Sequence, residues 1–252
     1  MTAAIEFQGV VKRYGGVAVL DGLDLEVPAG SAFALVGANG AGKTTCIKSL
    51  LDFGRVDAGA VRIFGTDHRD HRARARLVYL PERFLPPHHL SGMEFLAYAA
   101  RLHGADFDRG AARDAALALD LDPQVLGRPA RSYSKGMAQK LGLASCLLSG
   151  KDLLILDEPT SGLDPKARLL VKRLLGALHA QGHTLFYSTH VLADVHAVCD
   201  RLAVLHRGRV RFAGTPQRCL ARYGGTSLEE AYLNCVDCGP AHAGTAAGHG
   251  LS

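Results

Sequence analysis

Short stretches that are apolar without a break alternate along the chain with longer stretches in which apolar residues recur every three or four positions. "AFALVG" (32–37) and the apolar part of "LLILDEP" (153–159) have the pattern of strands buried on both faces. Residues 4–13 and 17–27 read as short β segments, with Pro28-Ala29-Gly30 as a turn. "AVRIFG", "RLVYLP" and "HTLFYSTH" read as further strands. "RLAVLHRGRVRFAG" reads as a hairpin turning at Arg207-Gly208. Helical spacing is expected from about Lys43 to Leu51 and over 166–181 and 191–199. Between Ser91 and Gly150 the pattern is helical almost throughout (92–103, 108–119 and 135–149), which predicts a helical lobe inserted into an α/β core. "AHAGTAAGHGLS" closes the chain as an expected flexible tail.

Composition narrows the class. With 252 residues, 48% hydrophobic and 21% charged, the chain has ample core for one large domain or two modest lobes. No apolar run approaches the roughly 18 to 20 residues that span a bilayer, and "MTAAIEFQGV" lacks the pattern of a secretory signal, so a cytosolic chain is expected. Cysteines 46, 146, 199, 219, 235 and 238 are scattered, as reduced thiols are rather than a disulfide framework. "CVDC" at 235–238, with His242 and His249 beyond it, has metal-ligand spacing but no second matched pair, and a fortuitous pair is the simpler reading. The net charge is +5, with basic residues concentrated in "HRDHRARAR" (68–76). That stretch suits a solvated segment better than a nucleic-acid or lipid patch, and no interleaved aromatics suggest base stacking.

The chemistry lies at the ends of the buried strands. "GANGAGKTT" (37–45) fits G-x-x-x-x-G-K-[ST], follows a buried strand and opens a helix. Gly37, Gly40 and Gly42 let successive backbone N–H groups face one concavity, and the helix N-terminus adds positive potential. Ala38, Asn39, Ala41 and Thr45 complete this nucleotide-binding loop. Lys43 can reach the β- and γ-phosphates, and the Thr44 hydroxyl can ligate Mg²⁺. At the end of "LLILDEP", Asp157 suits Mg²⁺ coordination and Glu158 is placed to activate an attacking water. No Asn-Lys-x-Asp segment for guanine and no second acceptor pocket is evident, so hydrolysis of ATP is favoured over GTPase or small-molecule kinase chemistry.

From about residue 4 to 215 the sequence resembles the ATP-binding subunit of an ABC transporter. "GANGAGKTT" is similar to the Walker A loop, "LLILDEP" to the Walker B strand, "SGLD" (161–164) to the D-loop, and His190 of "YSTH" to the switch histidine. Tyr14 in "KRYGG" is similar to the aromatic that stacks on adenine, its alternative being a half-buried strand aromatic. "YSKGM" (133–137) stands where the family signature does. The resemblance implies an α/β fold: a RecA-like P-loop NTPase core with a mixed or parallel sheet, an N-terminal antiparallel β subdomain and an inserted α-helical subdomain. An ATPase domain over 1–225, with the helical lobe at about 84–150, would be followed by a short extension, 226–252.

The resemblance also implies ATP and Mg²⁺ as ligands, with Glu158 and His190 catalytic. The family's complete site forms head to tail between two subunits. Ser134, Lys135 and Gly136 of the signature and Asp164 of the D-loop would therefore act across the interface; Ser134 and Asp164 also suit helix N-caps. A homodimer or a pairing with a related ATPase subunit is expected. So is an integral membrane permease, with this chain peripheral on the cytoplasmic face of the cell membrane. Two departures stand out. Glu82 occupies the place of the Q-loop glutamine, where it could ligate Mg²⁺ or be an exposed loop acid. Lys135 and Met137 replace a glycine and a glutamine of the signature. The local texture resembles exporter-type subunits. A non-transport ABC ATPase acting on nucleic acid or ribosomes is the alternative, and nucleic acid is the disfavoured partner.

Overall fold

The uninterrupted apolar runs form the middle of one sheet in the computed structural model, which describes residues 2–238. In chain order, β1 (Ala3–Tyr14) and β2 (Val17–Pro28) lead into β3 (Ala32–Val36), α1 (Lys43–Leu50) and β4 (Ala58–Ile63). The two-residue β5 (Thr66–Asp67), a short α2 (His71–Arg74) and β6 (Leu77–Leu80) follow. The helical segment comprises α3 (Gly92–Leu102), α4 (Arg109–Ala118) and α5 (Lys135–Leu147), with 3-10 turns at Pro123–Gly127 and Ala130–Ser132. The chain then alternates through β7 (Leu153–Asp157), α6 (Pro165–Ala180), β8 (Thr184–Thr189), α7 (Leu192–Val198), β9 (Arg201–His206) and β10 (Arg209–Gly214). Helices α8 (Pro216–Tyr223) and α9 (Leu228–Asp237) complete the described chain.

Two sheets result. One is antiparallel, in the order β2-β1-β4-β5; the other is mixed, in the order β10-β9-β3-β8-β7-β6, with β10 its antiparallel edge. Strands β3, β7 and β8 are buried at every position because each faces a different core on alternate residues. Ala32, Ala34, Val36, Leu154, Leu156, Leu185 and Tyr187 join one apolar cluster, with the helical segment, α6 and α7. Phe33, Leu35, Leu153, Ile155 and Phe186 join the other, with α1 and the antiparallel sheet. Register then fixes the functional edge: Val36 pairs with Thr189 and Asp157 with Ser188, so the segments opening at Gly37, Glu158 and His190 leave the sheet together.

Helix starts follow side-chain chemistry. Ser91 and Glu94 form a reciprocal capping box on α3, and Asp108, Ser134 and Asp164 cap α4, α5 and α6, each cap worth about 1 kcal/mol. Helix α5 is buried continuously from Ala138 to Cys146 and joins the helical segment to the sheet. A Cβ at its Gly142 would stand 2.6 Å from Leu80 Cδ1 and 2.8 Å from Phe84 Cδ1, so any larger residue there would displace these two side chains.

Three features extend the sequence reading. The basic stretch contains α2, and its charges are paired: Arg69 with Asp67, Arg72 with Asp70, Arg74 with Asp52 and Arg76 with Asp152. Beyond the hairpin, where the sequence reading named no element, the chain forms α8 and α9. Helix α9 buries Leu228, Ala231 and Cys235 in the cluster that also holds Val195 and Phe212. Of the Cys-x-x-Cys pair, Cys235 is buried and Cys238 exposed; His242, His249 and the glycine-rich tail lie outside the described residues.

Candidate nucleotide site

The loop between β3 and α1 is shaped by its glycines. A Cβ on Gly37 would stand 2.6 Å from the Leu205 carbonyl oxygen, while Gly40 and Gly42 have φ of +80° and +110°. The amide of Gly208, at the β9–β10 turn, donates to the Ala41 carbonyl at 3.0 Å and pins the loop from behind. Ala38, Asn39 and Gly40 are exposed at the rim, and Gly42 caps α1 with no side-chain acceptor, leaving the first helical N–H groups open to an anion. Thr44 is exposed on the first turn and Thr45 half-buried beneath it.

Lys43 is buried and folds back across this cradle. Its Nζ donates to the Gly37 carbonyl at 2.7 Å and the Ala38 carbonyl at 3.4 Å, and lies 3.4 Å from Glu158 Oε1. Glu158 also meets His190, whose Nδ1 stands 2.9 Å from Oε2. Thus Glu158 links Lys43 to His190, with Asp157 beside it and 2% exposed.

Backbone geometry aims the glutamate. Glu158 has φ +48°, a left-handed conformation that costs a non-glycine residue about 1–2 kcal/mol. Ser188 holds it there: the Glu158 amide donates to the Ser188 carbonyl at 3.2 Å and Oγ at 3.0 Å, and the same hydroxyl donates to Asp157 Oδ1. Strain of this kind, over-determined by its surroundings, collects at functional sites. Gln139 of α5 adds a 3.4 Å hydrogen bond to the Pro159 carbonyl. Neither Ser188 nor Gln139 stood out in the sequence, where one is a serine in an apolar strand and the other a polar residue on a largely buried helix.

The remaining expected residues lie around this centre. Glu82 is exposed just beyond β6; its carboxylate and that of Asp157 both help, after burial, to push the Tyr79 hydroxyl up to about 12. Leu80 pairs in parallel with Leu156, so Glu82 follows β6 at the same end of the sheet as Asp157. Tyr14 is half-exposed at the end of β1, with Lys12 Nζ 5.0 Å from its ring centre. Ser134 Oγ accepts from the Met137 amide, and Asp164 Oδ1 from the Ala167 amide, so both are N-caps in this chain. The Ala167 amide also holds the Asp164 carboxyl below its ordinary range. The Lys135 side chain runs over Gly162, within 3.0 Å of where a Cβ would stand, and Gly136 faces Leu163 and Gly162. The segment that opens α5 therefore contacts the Ser161–Asp164 turn of its own chain.

Tightly packed glycines, a helix N-terminus with no side-chain cap and a buried lysine fit a nucleoside triphosphate. The family model described as "ABC transporter" matches residues 20–161. The chain belongs to the ABC transporter family. The daunorubicin/doxorubicin resistance ATP-binding protein DrrA of Streptomyces peucetius is 38% identical over 90% of this chain and 70% of its own length. The Nod factor export ATP-binding protein I of Paraburkholderia xenovorans is 36% identical over 91% of this chain and 77% of its own. Among solved structures, an ATP-binding subunit of an ABC transporter superposes with a TM-score of 0.85 at 31% identity, covering 92% of this chain and 99% of that one. A bacterial Atm1-family ABC exporter with ATP bound gives 0.79 at 26% identity, over 98% of this chain and 43% of that one.

This ABC protein is an ATP-binding and ATP-hydrolysing subunit that powers a transporter. It pairs with an ATPase subunit and serves a membrane component, while no helix among its described residues is long and apolar enough to cross a membrane.

Proposed function

We propose that this subunit drives export by hydrolysing ATP at a site completed by a second ATPase subunit. The observation that carries this reading is the position of Glu158, bound by Lys43 on one oxygen and His190 on the other. Binding of ATP in the Gly37–Thr45 loop gives Lys43 a stronger partner in the β- and γ-phosphates and releases Glu158. Glu158 then accepts a proton from water as the water oxygen bonds to the γ-phosphorus and the bond to the β-bridging oxygen breaks. ADP and phosphate result. His190 donates to the γ-phosphate and keeps Glu158 aimed, and Tyr14 offers its ring to adenine. Thr44, Asp157 and Glu82 would hold Mg²⁺, which supplies charge neutralisation between the β- and γ-phosphates.

Ser134, Lys135 and Gly136 present the N-terminus of α5 to the γ-phosphate held by the partner subunit, and Asp164 faces the partner's P-loop. The partner is a second copy or a related ATPase subunit. The ATPase domain spans residues 1–225, with the helical lobe at 84–150, and residues 226–252 extend it. It works on the cytoplasmic face of the cell membrane, against an integral membrane permease that selects the cargo. Relatives named for drug resistance and Nod factor export support the outward direction. The pairing of every arginine between residues 69 and 76 with an acid favours this reading over one built on nucleic acid.

Glu158→Gln tests it. The variant is expected to bind ATP, to lose roughly 10²–10⁴-fold in hydrolysis, and to accumulate as an ATP-bound dimer in light scattering. Hydrolysis at the wild-type rate would remove Glu158 as the base. Purification of the tagged chain from membranes should bring down a polytopic protein; recovery of a nucleic-acid or ribosomal complex instead would overturn the transport reading.

A further inference from the structure

One buried carboxylate beside the site has no part in this reaction. Asp194, in the first turn of α7, is 6% exposed. Its Oδ2 accepts from the Thr160 hydroxyl at 3.3 Å, and its Oδ1 accepts from Lys172 Nζ at 2.8 Å. Thr160 is itself buried, and the space against the cluster amounts to about 10 Å³, room for at most one water. Each oxygen of this carboxylate has a protein partner.

Chain topology gives the cluster its meaning. Thr160 precedes the Ser161–Asp164 turn and Lys172 follows it on α6, so both flanks of the turn are tied to one acid. That acid belongs to the helix that starts two residues after His190. The link is stiff: the Val191 amide donates to Thr189 Oγ1 at 3.0 Å, and the Asp194 amide to the Val191 carbonyl at 3.1 Å. Glu158–His190 and Thr160–Asp194 are thus two rungs between the segments that leave β7 and β8. An apolar trio would hold α6 and α7 together without the cost of desolvating a charge. Hydrogen bonds add direction, so a displacement of α7 pulls on Thr160 instead of sliding past it.

We propose that Asp194 is a positioning residue that passes the disposition of His190 to the Ser161–Asp164 turn, and so to the neighbouring ATPase subunit. This rests on the assignment of His190 to the γ-phosphate and of Asp164 to the subunit interface. It couples the two through the Thr160–Asp194–Lys172 hydrogen bonds.

The test uses Asp194→Asn, Thr160→Val and Thr160→Ser in the full chain, alone and combined with Glu158→Gln. Asp194→Asn and Thr160→Val are expected to keep ATP affinity within about twofold while lowering kcat about tenfold. In the Glu158→Gln background both should raise the ATP concentration needed for dimerisation by a similar factor. Thr160→Ser, which keeps the hydroxyl, should restore kcat. Wild-type kcat in Asp194→Asn and Thr160→Val overturns the proposal, as does loss of ATP affinity in step with kcat, or a Thr160→Ser variant as slow as Thr160→Val. If Asp194→Asn does not fold, the Thr160 pair decides. Wild-type hydrolysis by Glu158→Gln alone would instead strike the catalytic assignment, so the two failures are read from different variants.

Discussion

Lys43 Nζ stands 3.4 Å from Glu158 Oε1, with both side chains at least nine-tenths buried. The lysine proposed to meet phosphate is thus in contact with the carboxylate proposed to activate water. With the Gly37 and Ala38 carbonyls also accepting from it, the lysine contributes to stability as well as to the proposed binding of phosphate.

Lys43→Met should expose both roles. Without ATP, Glu158 loses its cation and the Gly37 carbonyl its donor, a cost on the order of 1–3 kcal/mol. With ATP, the wild-type protein gains about 2.7 kcal/mol at a hundredfold excess over the dissociation constant, and the variant should gain little. Thermal melts with and without ATP check both. An unchanged ATP-free melting temperature with an intact ATP shift would remove the lysine from both roles.

Gly37→Ala separates shape from charge. The new Cβ would meet the Leu205 carbonyl oxygen at 2.6 Å, a backbone atom that cannot swing away, so the loop or the β9–β10 hairpin must move. Overpacking of this kind costs about 1–3 kcal/mol. Gly40→Ala meets nothing within 4 Å and bears only the strain of φ +80°. The expected order in urea midpoints is wild type, then Gly40→Ala, then Gly37→Ala. A Gly37→Ala protein as stable as the wild type would contradict the packing argument.

How much of this was legible in the sequence depends on the signal each residue carries. Strands β3 and β7 were plain because burial on both faces erases the polar alternation, and the P-loop because its glycines sit between a strand and a helix. Ser188 was not, since a serine in an apolar strand shows its purpose only once register brings it beside Asp157. Asp194 was hidden likewise, its partners lying far away in sequence. Helices α8 and α9 are short, and their signals are local caps: Thr215 before Pro216, and Ser227 accepting from the Glu230 amide. A search for caps as well as periodicity finds both. The Ser134 cap was legible, but the contact of Lys135 with Gly162 was not, because it joins turns whose proximity is tertiary.

Glu82→Gln addresses the departure at the Q-loop position. An exposed carboxylate at the same end of the sheet as Asp157 adds negative charge where a divalent cation is proposed to sit. The amide should therefore raise the Mg²⁺ concentration at half-maximal ATPase activity by about tenfold, a loss of roughly 1–1.5 kcal/mol in ion binding, while ATP affinity without metal rises or stays level. A Mg²⁺ titration at fixed ATP reads this directly. An unchanged half-maximal concentration would leave Glu82 as an ordinary loop acid.

The thiols offer a check on the packing of both cores at once. Burial pushes Cys146 and Cys199 up to about 12 and Cys219 up to about 11, and raises Cys46 and Cys235 as well. A thiol at 11 is roughly one part in a thousand thiolate at pH 8, and the thiolate is the nucleophile. Cys238 is exposed at the end of α9. Brief treatment of the native protein with a maleimide at pH 7 to 8 should therefore modify Cys238 and spare the other five, and urea should open all six. Peptide mapping by mass spectrometry distinguishes them. Rapid labelling of Cys46 in the native state would mean that α1 and the loop before it open far more readily than their packing beneath β2 and β4 allows, and ATP should then suppress it.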